Sequence, residues 1–299
     1  MSAGPPLIRA MAEADLAEAA SLTNRAFAAL PQGEGDEAEG PIFSDLFFRS
    51  RWLADPQGCL VAVGAEAPQR LLGVMISVRR GTLGWFGPLA VLPDGQRAGT
   101  GQRLVAALVE LWQARGVRLM GLETFAESPF HVHLYSKAGF RPSWTGITLE
   151  RALEGATAVP PGVELGGPVP DLGFIYPGLD LSGEASTVAA SGAGVALTAG
   201  GGLAILHLEP TFQPPGMGFV PFLAAPDRDS FSKLLGAAEA LSRERGLSQL
   251  ITRVPGSSWA TLDALEAMGY RSRGVMLRMK RGETPDYDRT EAYYCDNWL

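Results

Sequence analysis

The sequence contains only two cysteines, Cys59 and Cys295, which lie far apart among its 299 residues. Two distant thiols cannot form a disulfide framework or a zinc site, so a reduced, cytoplasmic setting is the default expectation. The N-terminus has no basic segment followed by an apolar core and a cleavage site, and no run of eighteen apolar residues occurs. We therefore expect neither a secretory signal nor a membrane-spanning helix.

Basic residues are also fewer than acidic ones: the chain has 25 Lys and Arg but 32 Asp and Glu, which gives a net charge of -7. Nucleic-acid binding requires clustered Lys and Arg to replace phosphate counterions, so no nucleic-acid partner is expected. The balance is compatible with an enzyme that acts on a small molecule or with a cationic acceptor. The length suggests two domains of ordinary size.

The N-terminal half alternates between short apolar strands and amphipathic helices. Asp15 and Glu18 have the spacing of a capping box at the start of the first helix, and Gly116 is placed to end a later one. Strands are predicted at residues 7–11, 58–63, 71–78, 83–92 and 117–124. A helix is predicted at residues 129–138, followed by two final strands up to about residue 153.

The C-terminal half repeats this order. One constant offset brings Arg115-Gly116 onto Arg245-Gly246, and Gly139-Phe140-Arg141 onto Gly269-Tyr270-Arg271. We call this constant difference in residue number the repeat offset. Its simplest interpretation is that the chain contains the same fold twice. We predict a first domain at residues 1–155, a linker at 156–162, a second domain at 163–282 and a loosely held polar tail at 283–299.

A glycine motif, Gln96-x-x-Gly99-x-Gly101, lies between the predicted strand 83–92 and an amphipathic helix. A glycine turn at the start of a helix lets backbone N–H groups point at one place, where the helix dipole adds positive potential. Each N–H bond to a charged oxygen contributes about 1.5–3 kcal/mol, so a diphosphate needs no basic cluster. A plain connecting turn is the alternative that this motif alone leaves open.

Two motifs in order, Leu89-Ala90-Val91-Leu92-Pro93 before the glycine turn and Leu134 to Phe140 after it, resemble the GNAT superfamily of N-acetyltransferases. The resemblance covers about residues 7–153. It implies an α/β (α+β) fold with two GNAT-like domains, each a mixed, mostly antiparallel sheet with a splayed parallel strand pair and flanking helices. The strand at residues 83–92 would splay from the strand at 117–124, with a bulge at Gly87-Pro88.

The resemblance also implies acetyl-CoA as the co-substrate and no metal. The strand before the turn would bind the pantetheine arm and the turn would bind the diphosphate. Ser128 stands where relatives commonly carry an asparagine that touches the cofactor. The residues expected to bind acetyl-CoA are Leu89, Ala90, Val91, Arg97, Ala98, Gly99, Thr100, Gly101, Gln102 and Ser128.

Tyr135 is the candidate acid that protonates the thiolate released from the thioester, and simple ring packing beside Phe140 is the alternative. Relatives often use a glutamate on the strand before the turn as the general base, but this strand has no acid. Glu123 is the substitute, and a solvated carboxylate is an equally weighted alternative. His131 and His133 face different directions on a helix and are expected to be surface residues rather than metal ligands.

The second copy has lost the residues that matter for a diphosphate. At the repeat offset Gln96 falls on Pro226, Gly99 on Asp229, Gly101 on Phe231 and Tyr135 on Leu265. An aspartate would repel a diphosphate and a phenylalanine would fill its space. The second half is therefore expected to bind no acetyl-CoA and to form a wall of the acceptor cleft or a packing surface.

The predicted activity is transfer of an acetyl group from acetyl-CoA to a primary amine of a small-molecule or peptide acceptor, by direct attack in a ternary complex. The acidic loop at residues 31–41 would attract a cationic acceptor, although a solvated loop is the commoner case. A non-catalytic acyl-CoA-binding regulatory module is the alternative from another class, and a longer acyl donor stays open. The sequence carries no signal for the oligomeric state.

Overall fold

The computed structural model describes residues 5–29, 42–64, 70–93, 99–155, 158–282, 287 and 292–297. Thirteen strands in these residues form one continuous mixed sheet, with helices packed against it. This architecture confirms the predicted mixed α/β (α+β) fold class. None of the helices in these ranges is long and apolar enough to cross a bilayer.

The first half supplies six strands and four α-helices within the described residues. In chain order they are β1 (Leu7–Ala10), α1 (Leu16–Ala28), α2 (Asp45–Ala54), β2 (Leu60–Val63), β3 (Leu71–Arg80), β4 (Leu83–Val91), α3 (Thr100–Ala114), β5 (Leu119–Thr124), α4 (Pro129–Lys137) and β6 (Arg141–Ala152). The predicted acidic loop at residues 31–41 lies outside the described residues.

The second half supplies the other seven strands. Its elements are β7 (Glu164–Leu165), α5 (Ser182–Ala190), β8 (Gly194–Ala199), β9 (Gly202–His207), β10 (Met217–Ala225), α6 (Arg228–Glu244), β11 (Gln249–Pro255), α7 (Trp259–Ala267), β12 (Arg271–Arg281) and β13 (Tyr293–Asp296). The strands β5 and β11, the helices α4 and α7, and the strands β6 and β12 each begin at positions related by the repeat offset, as the sequence predicts.

The two halves exchange their long strands at the middle of the sheet. The strand order is β1-β2-β3-β4-β5-β12-β6-β11-β10-β9-β8-β7, with β13 paired to β10. Strand β12 pairs with β5 of the first half, and β6 pairs with β11 of the second half, both antiparallel. Each half is therefore completed by a strand that belongs to the other half.

This exchange corrects the prediction of two final strands before residue 153. A single long strand, β6, is found there, because β12 fills the place beside β5 that a second strand of the same half would take. The predicted domain limits at residues 1–155 and 163–282 stay a prediction, and strand pairing crosses them in both directions.

The predicted capping box of α1 is wrong. The Asp15 carboxylate accepts hydrogen bonds from Arg9, at 2.6 and 2.9 Å, and from the Ala12 N–H. Glu18 instead accepts from the N–H of Leu71, at the start of β3. A charge-assisted pair with a guanidinium is stronger than a backbone cap, so the carboxylate turns away from the helix.

The glycine that ends α3 is confirmed. Gly116 has φ +73°, and the Val117 N–H donates to the Trp112 carbonyl at 2.9 Å, which closes the helix end. Leu247 makes the same backbone bond after Gly246 at the end of α6. The repeated Arg-Gly pair therefore has the same structural task in both halves.

A buried ionic cluster joins the halves. Arg80 of β3 contacts the carboxylates of Glu184 on α5 and Asp296 on β13, and Arg51 of α2 makes a second pair with Glu184 at 3.1 Å. The Tyr287 hydroxyl donates to Asp296. Buried charges are costly to desolvate, so each of these groups depends on its partner remaining in place.

Two groups near this cluster have lowered pKa values. Burial raises the pKa of Glu184, but the positive charges of Arg80 and Arg51 outweigh burial and bring the pKa to about 2. Burial lowers the pKa of His207 to about 3, with a further contribution from the charge of Arg51. Both groups therefore bind protons more readily in the unfolded chain than in the folded chain.

We expect the free energy of unfolding to fall as the pH drops below about 6.5, the ordinary pKa of histidine. Unfolded His207 takes up a proton there, whereas folded His207 stays neutral until about pH 3. Its stabilising effect is thus complete above pH ~6.5 and is lost progressively on acidification, by about 2 kcal/mol between pH ~6.5 and ~5. Urea denaturation across this range measures the slope.

The matched controls are two histidine substitutions. His207→Gln should flatten the dependence, while the same change at His133, which is exposed, should leave it as in the parent protein. Equal slopes in the parent protein and in His207→Gln would rule out His207 as the source.

Candidate active site

The parallel strands β4 and β5 separate after three residue pairs. Pairing runs from Leu83 with Leu119 to Trp85 with Gly121, and from Phe86 onward the described residues of β4 have no partner on β5. A wedge therefore opens between the two strands, as predicted.

A bulge in β4 accompanies the opening. On the side of β3, Phe86 pairs with Ser77 and Leu89 pairs with Met75, so that Gly87-Pro88 lies opposite one residue. Bulges bend a strand and increase its local twist. The bulge predicted at Gly87-Pro88 is confirmed.

The edge of β4 that faces the wedge carries Leu89, Ala90 and Val91. Leu89 and Val91 are half-buried and pack against the core cluster that contains Phe86 and Tyr135, whereas Ala90 is buried toward α1 and α2. Alternate residues of a strand face opposite sides, which accounts for this division. The backbone of these three residues remains the predicted binding edge for an extended arm.

The N-terminus of α3 lies directly beside this edge. Gly99 has φ +69°, a conformation that favours glycine, and helical bonding begins with the Arg103 N–H to the Gly99 carbonyl at 3.1 Å. Among the described residues, a Cβ on Gly99 would meet only Gln102 Oε1, at 3.8 Å, and one on Gly101 would make ordinary van der Waals contacts with Leu134, Val91 and Leu89, at 3.8–3.9 Å. No described side chain therefore crowds these two positions of the first turn.

The remaining predicted turn residues divide into two groups. Arg97 and Ala98 lie outside the described residues, as does Gln96. Thr100 is buried and Gln102 is exposed at the helix start. First-turn N–H groups have no acceptor within their own helix and carry the positive end of its dipole, so this corner suits an anion.

Tyr135 on α4 lies at the point where the strands part. Tyr135 is 7% exposed, and its ring packs edge-on against the ring of Phe86, with 5.7 Å between the ring centroids. Among the described residues its hydroxyl makes no hydrogen bond, and burial raises its pKa above the ordinary value. The phenol therefore keeps its proton at neutral pH and can donate it to a group in the wedge.

The side chain of Glu123 on β5 is fully buried and held by two guanidinium groups. Its Oε1 accepts from Arg278 Nε at 2.9 Å, and its Oε2 accepts from Arg253. A Cβ on Gly146 would overlap Glu123 Oε1, so β6, on the far side of β12, has room only for a glycine at this position. A general base must reach the proton of the acceptor, and the Glu123 carboxylate is fully buried between two arginines. The geometry therefore speaks against the predicted role and favours a structural one.

The sequence did contain a signal for this pair. The repeat offset brings Glu123 onto Arg253, so the two partners occupy equivalent positions in the two halves. Arg253 Nε also donates to Thr148 Oγ1 at 2.9 Å, and the same offset brings Thr148 onto Arg278. In the structure these two equivalent positions are in contact.

Ser128 precedes α4, and its hydroxyl lies 2.7 Å from His131 Nδ1. Burial lowers the pKa of His131, so the imidazole is neutral at physiological pH. His131 is half-buried and His133 is exposed. The contact between Ser128 and a cofactor stays a prediction, and its hydroxyl already has a neighbour.

The second half borders the first half on the side of α2. Ser44 donates two hydrogen bonds to it, from its N–H to the Thr211 carbonyl at 3.0 Å and from Oγ to the Pro210 carbonyl at 2.7 Å. Phe212 packs on Phe43 with 5.7 Å between ring centroids. The segment between β9 and β10 therefore packs against Phe43 and Ser44, at the start of α2.

The corresponding corner of the second half is closed. Residues 92–99 connect β4 to α3, but only residues 226 and 227 connect β10 to α6. The Asp227 carboxylate caps α6 by accepting from the Ser230 N–H at 2.8 Å, and Asp229 pairs with Lys233. Phe231, at the place of Gly101, is fully buried in the core of the second half. Leu265, at the place of Tyr135, has no hydroxyl to offer.

Comparison with known proteins agrees with this geometry. Residues 21–140 match the model of the acetyltransferase (GNAT) family. No curated protein sequence matches the chain. Three solved structures show the same fold over nearly its full length.

A candidate acetyltransferase from Pyrococcus horikoshii has a TM-score of 0.71 at 18% identity, covering 99% of this chain and 96% of that chain. A GCN5-related N-acetyltransferase from Sphaerobacter thermophilus has 0.57 at 17%, covering 95% and 98%. A tandem GNAT protein from the clavulanic acid biosynthesis pathway has 0.56 at 15%, covering 94% and 99%. Residues 21–140 therefore carry the match to the acetyltransferase (GNAT) family, in a chain whose second half repeats the fold of the first.

Proposed function

We propose that the first half of the chain is an N-acetyltransferase, which moves an acetyl group from acetyl-CoA to a primary amine of a small-molecule or peptide acceptor. The proposal rests on the way in which a helix N-terminus, a strand edge and Tyr135 adjoin one another. The N-terminus of α3 adjoins the edge of β4 that has no partner on β5, and this edge leads to Tyr135 where β4 leaves β5. The diphosphate of acetyl-CoA would lie at the helix N-terminus, its extended arm along the strand edge and its thioester beside Tyr135.

The reaction is a direct attack in a ternary complex. The amine nitrogen forms a bond to the thioester carbonyl carbon, and the carbon–sulfur bond then breaks with its electron pair leaving on sulfur. Tyr135 donates its proton to this sulfur, the nitrogen releases its excess proton to water after the attack, and the phenol regains a proton from water. A buried phenol with a raised pKa and no other hydrogen bond among the described residues suits the acid role.

The amine proton needs another route than Glu123. Both oxygens of this carboxylate accept from arginines, so an acceptor that arrives as the neutral amine, or that loses its proton to water, fits the site better. The segment between β9 and β10 and helix α2 would border such an acceptor. The acids of residues 34–39 would favour a cationic one.

A non-catalytic acyl-CoA-binding module is the second candidate. The observation in its favour is the same engagement of Glu123, since the described part of β4 has no acid either. The two candidates share the cofactor site and differ only in turnover. A longer acyl donor is a variation of the first candidate, which competition between acyl-CoA thioesters would test.

Release of free thiol from acetyl-CoA, measured across a broad panel of primary amines, tests the proposal. We expect amine-dependent release together with a rise in melting temperature on addition of acetyl-CoA. A rise in melting temperature with no release for any amine would favour the binding module. The absence of both would overturn the cofactor site itself.

Gly101→Asp is expected to abolish the acetyl-CoA-induced shift in melting temperature. The added carboxylate would stand at the helix N-terminus, where it both occupies the space and repels a diphosphate by about 1–4 kcal/mol. Gly101→Asn is the matched control with the same size and no charge, and it should weaken binding less. An undiminished shift in Gly101→Asp would place the cofactor elsewhere.

A further inference from the structure

The second half contains a wedge of the same form as the first. Strands β10 and β11 pair in parallel only from Met217 with Gln249 to Val220 with Thr252. Beyond this point a bulge shifts the pairing of β10 with β9 between Phe219 and Phe222. Two parallel strands again part at a bulge.

The bulge carries a repeated sequence. Phe86-Gly87-Pro88-Leu89 corresponds to Phe219-Val220-Pro221-Phe222. The difference in residue number between these two segments is slightly larger than the repeat offset that relates the helices. The connection from β10 to α6 is shorter than that from β4 to α3, which compensates for this difference. Leu89 and Val91, the predicted edge for the pantetheine arm, thus correspond to Phe222 and Ala224.

Strand β13 lies in this second wedge. It pairs antiparallel with β10, from Phe222 opposite Asp296 to Ala225 opposite Tyr293. Asn297 continues the contact by donating its N–H to the Pro221 carbonyl at the bulge, at 2.9 Å. The edge of β10 that corresponds to the edge of β4 without a β5 partner is therefore paired with β13.

Helix α7 holds the other side of β13. Ser258 Oγ and Thr261 Oγ1 donate to the Ala292 carbonyl at 2.8 and 3.0 Å, and the Tyr294 N–H donates to Thr261 Oγ1 at 2.9 Å. At the repeat offset Ser258 corresponds to Ser128 in the first half. The position expected to touch the cofactor in one half thus touches the chain itself in the other.

The second wedge is also filled by side chains near the N-terminus of α6 and along β13. Phe231, which corresponds to Gly101, packs against Tyr293 with 5.8 Å between ring centroids. Tyr294 and Cys295 are fully buried. The Asp296 side chain accepts from Arg80 and Tyr287, so the register of β13 is set by partners outside the wedge.

We propose that the second wedge is a strand-binding site whose resident ligand is the C-terminal strand β13 of the same chain. An extended peptide presents amide N–H and C=O groups to a free strand edge, as the amides of a pantetheine arm do. With the second wedge occupied, the chain binds one acyl-CoA, in its first half. This stoichiometry rests on the proposed function, whereas the position of β13 does not depend on it. The prediction of a loosely held tail is wrong for residues 292–297.

The two cysteines provide the test, since Cys295 lies in β13 and Cys59 lies in the first half, and both are fully buried. In the full chain both thiols should react slowly with a thiol reagent under native conditions, as followed by mass spectrometry. The double substitution Ser258→Ala and Thr261→Val removes the hydroxyls that hold β13. It should accelerate labelling of Cys295 about tenfold or more and leave that of Cys59 unchanged. Ser128→Ala, the same change in the first half, should alter neither.

A chain that ends at residue 291 gives a second measurement. Its melting temperature should fall by about 5 °C or more, and a synthetic peptide of residues 286–299 added in trans should restore it, whereas acetyl-CoA should not. If the truncated chain does not fold, the labelling rates decide alone. Rapid labelling of Cys295 in the full chain, or no acceleration in the double variant, would overturn the proposal.

Calorimetric titration of the full chain with acetyl-CoA separates the two proposals. One site supports both. Two sites would overturn the occupied second wedge, while no binding would overturn only the proposed function, because the labelling result does not depend on a cofactor.

Discussion

Tyr135→Phe is expected to lower kcat for amine-dependent thiol release by about 10²-fold or more. The substitution removes only the hydroxyl that would protonate the leaving sulfur. The ring that packs on Phe86 stays, and no hydrogen bond within the described residues is lost, so folding should be preserved. Because the acid acts on the transition state, acetyl-CoA affinity should change little and kcat/KM should fall with kcat.

Tyr270→Phe is the matched control. Tyr270 is the second-half counterpart of Phe140, and its buried hydroxyl donates to Glu239 at 2.9 Å. This variant loses a buried hydroxyl outside the first wedge and should keep the parent kcat. A kcat within about threefold of the parent in Tyr135→Phe would remove the acid role and leave the ring with a packing role only.

Glu123→Ala is expected to lower the free energy of unfolding by about 3–5 kcal/mol, because it leaves two buried guanidinium groups without their shared carboxylate. Arg278 is fully buried and Arg253 nearly so, and neither can turn into solvent. Chemical denaturation of the parent and variant proteins measures the difference.

Glu150→Ala is the control, since Glu150 pairs with Arg273 at 2.9 Å where both side chains are about one third exposed. Such a surface pair is worth about 1 kcal/mol or less. If Glu123→Ala kept its stability and lost activity with a changed pH profile, the carboxylate would be the general base after all.

Local patterns were sufficient for most of the first wedge. The glycine turn, the amphipathic helix after it and the Gly87-Pro88 bulge each follow from neighbouring residues, so the sequence predicts them well. These features depend on backbone conformation and side-chain size within a few positions.

Features that depend on distant partners were missed. The alternation in β6 and β12 predicts strands but does not say which strand lies beside them, and the exchange joins strands that are far apart in the sequence. Strand β13 has only four residues, too few for a periodic signal. Glu123 has an ordinary strand-end context, and only the repeat reveals its arginine partner.

The exchanged strands have a consequence for how the chain loses its structure. With β12 removed, β5 would present a long bare edge, and with β6 removed, β11 would do the same; such edges invite aggregation. Neither half can therefore melt while its neighbour stays intact. We regard the chain as a single cooperative unit in which damage to either half is felt by both, in the manner of an intertwined dimer whose subunits have been fused.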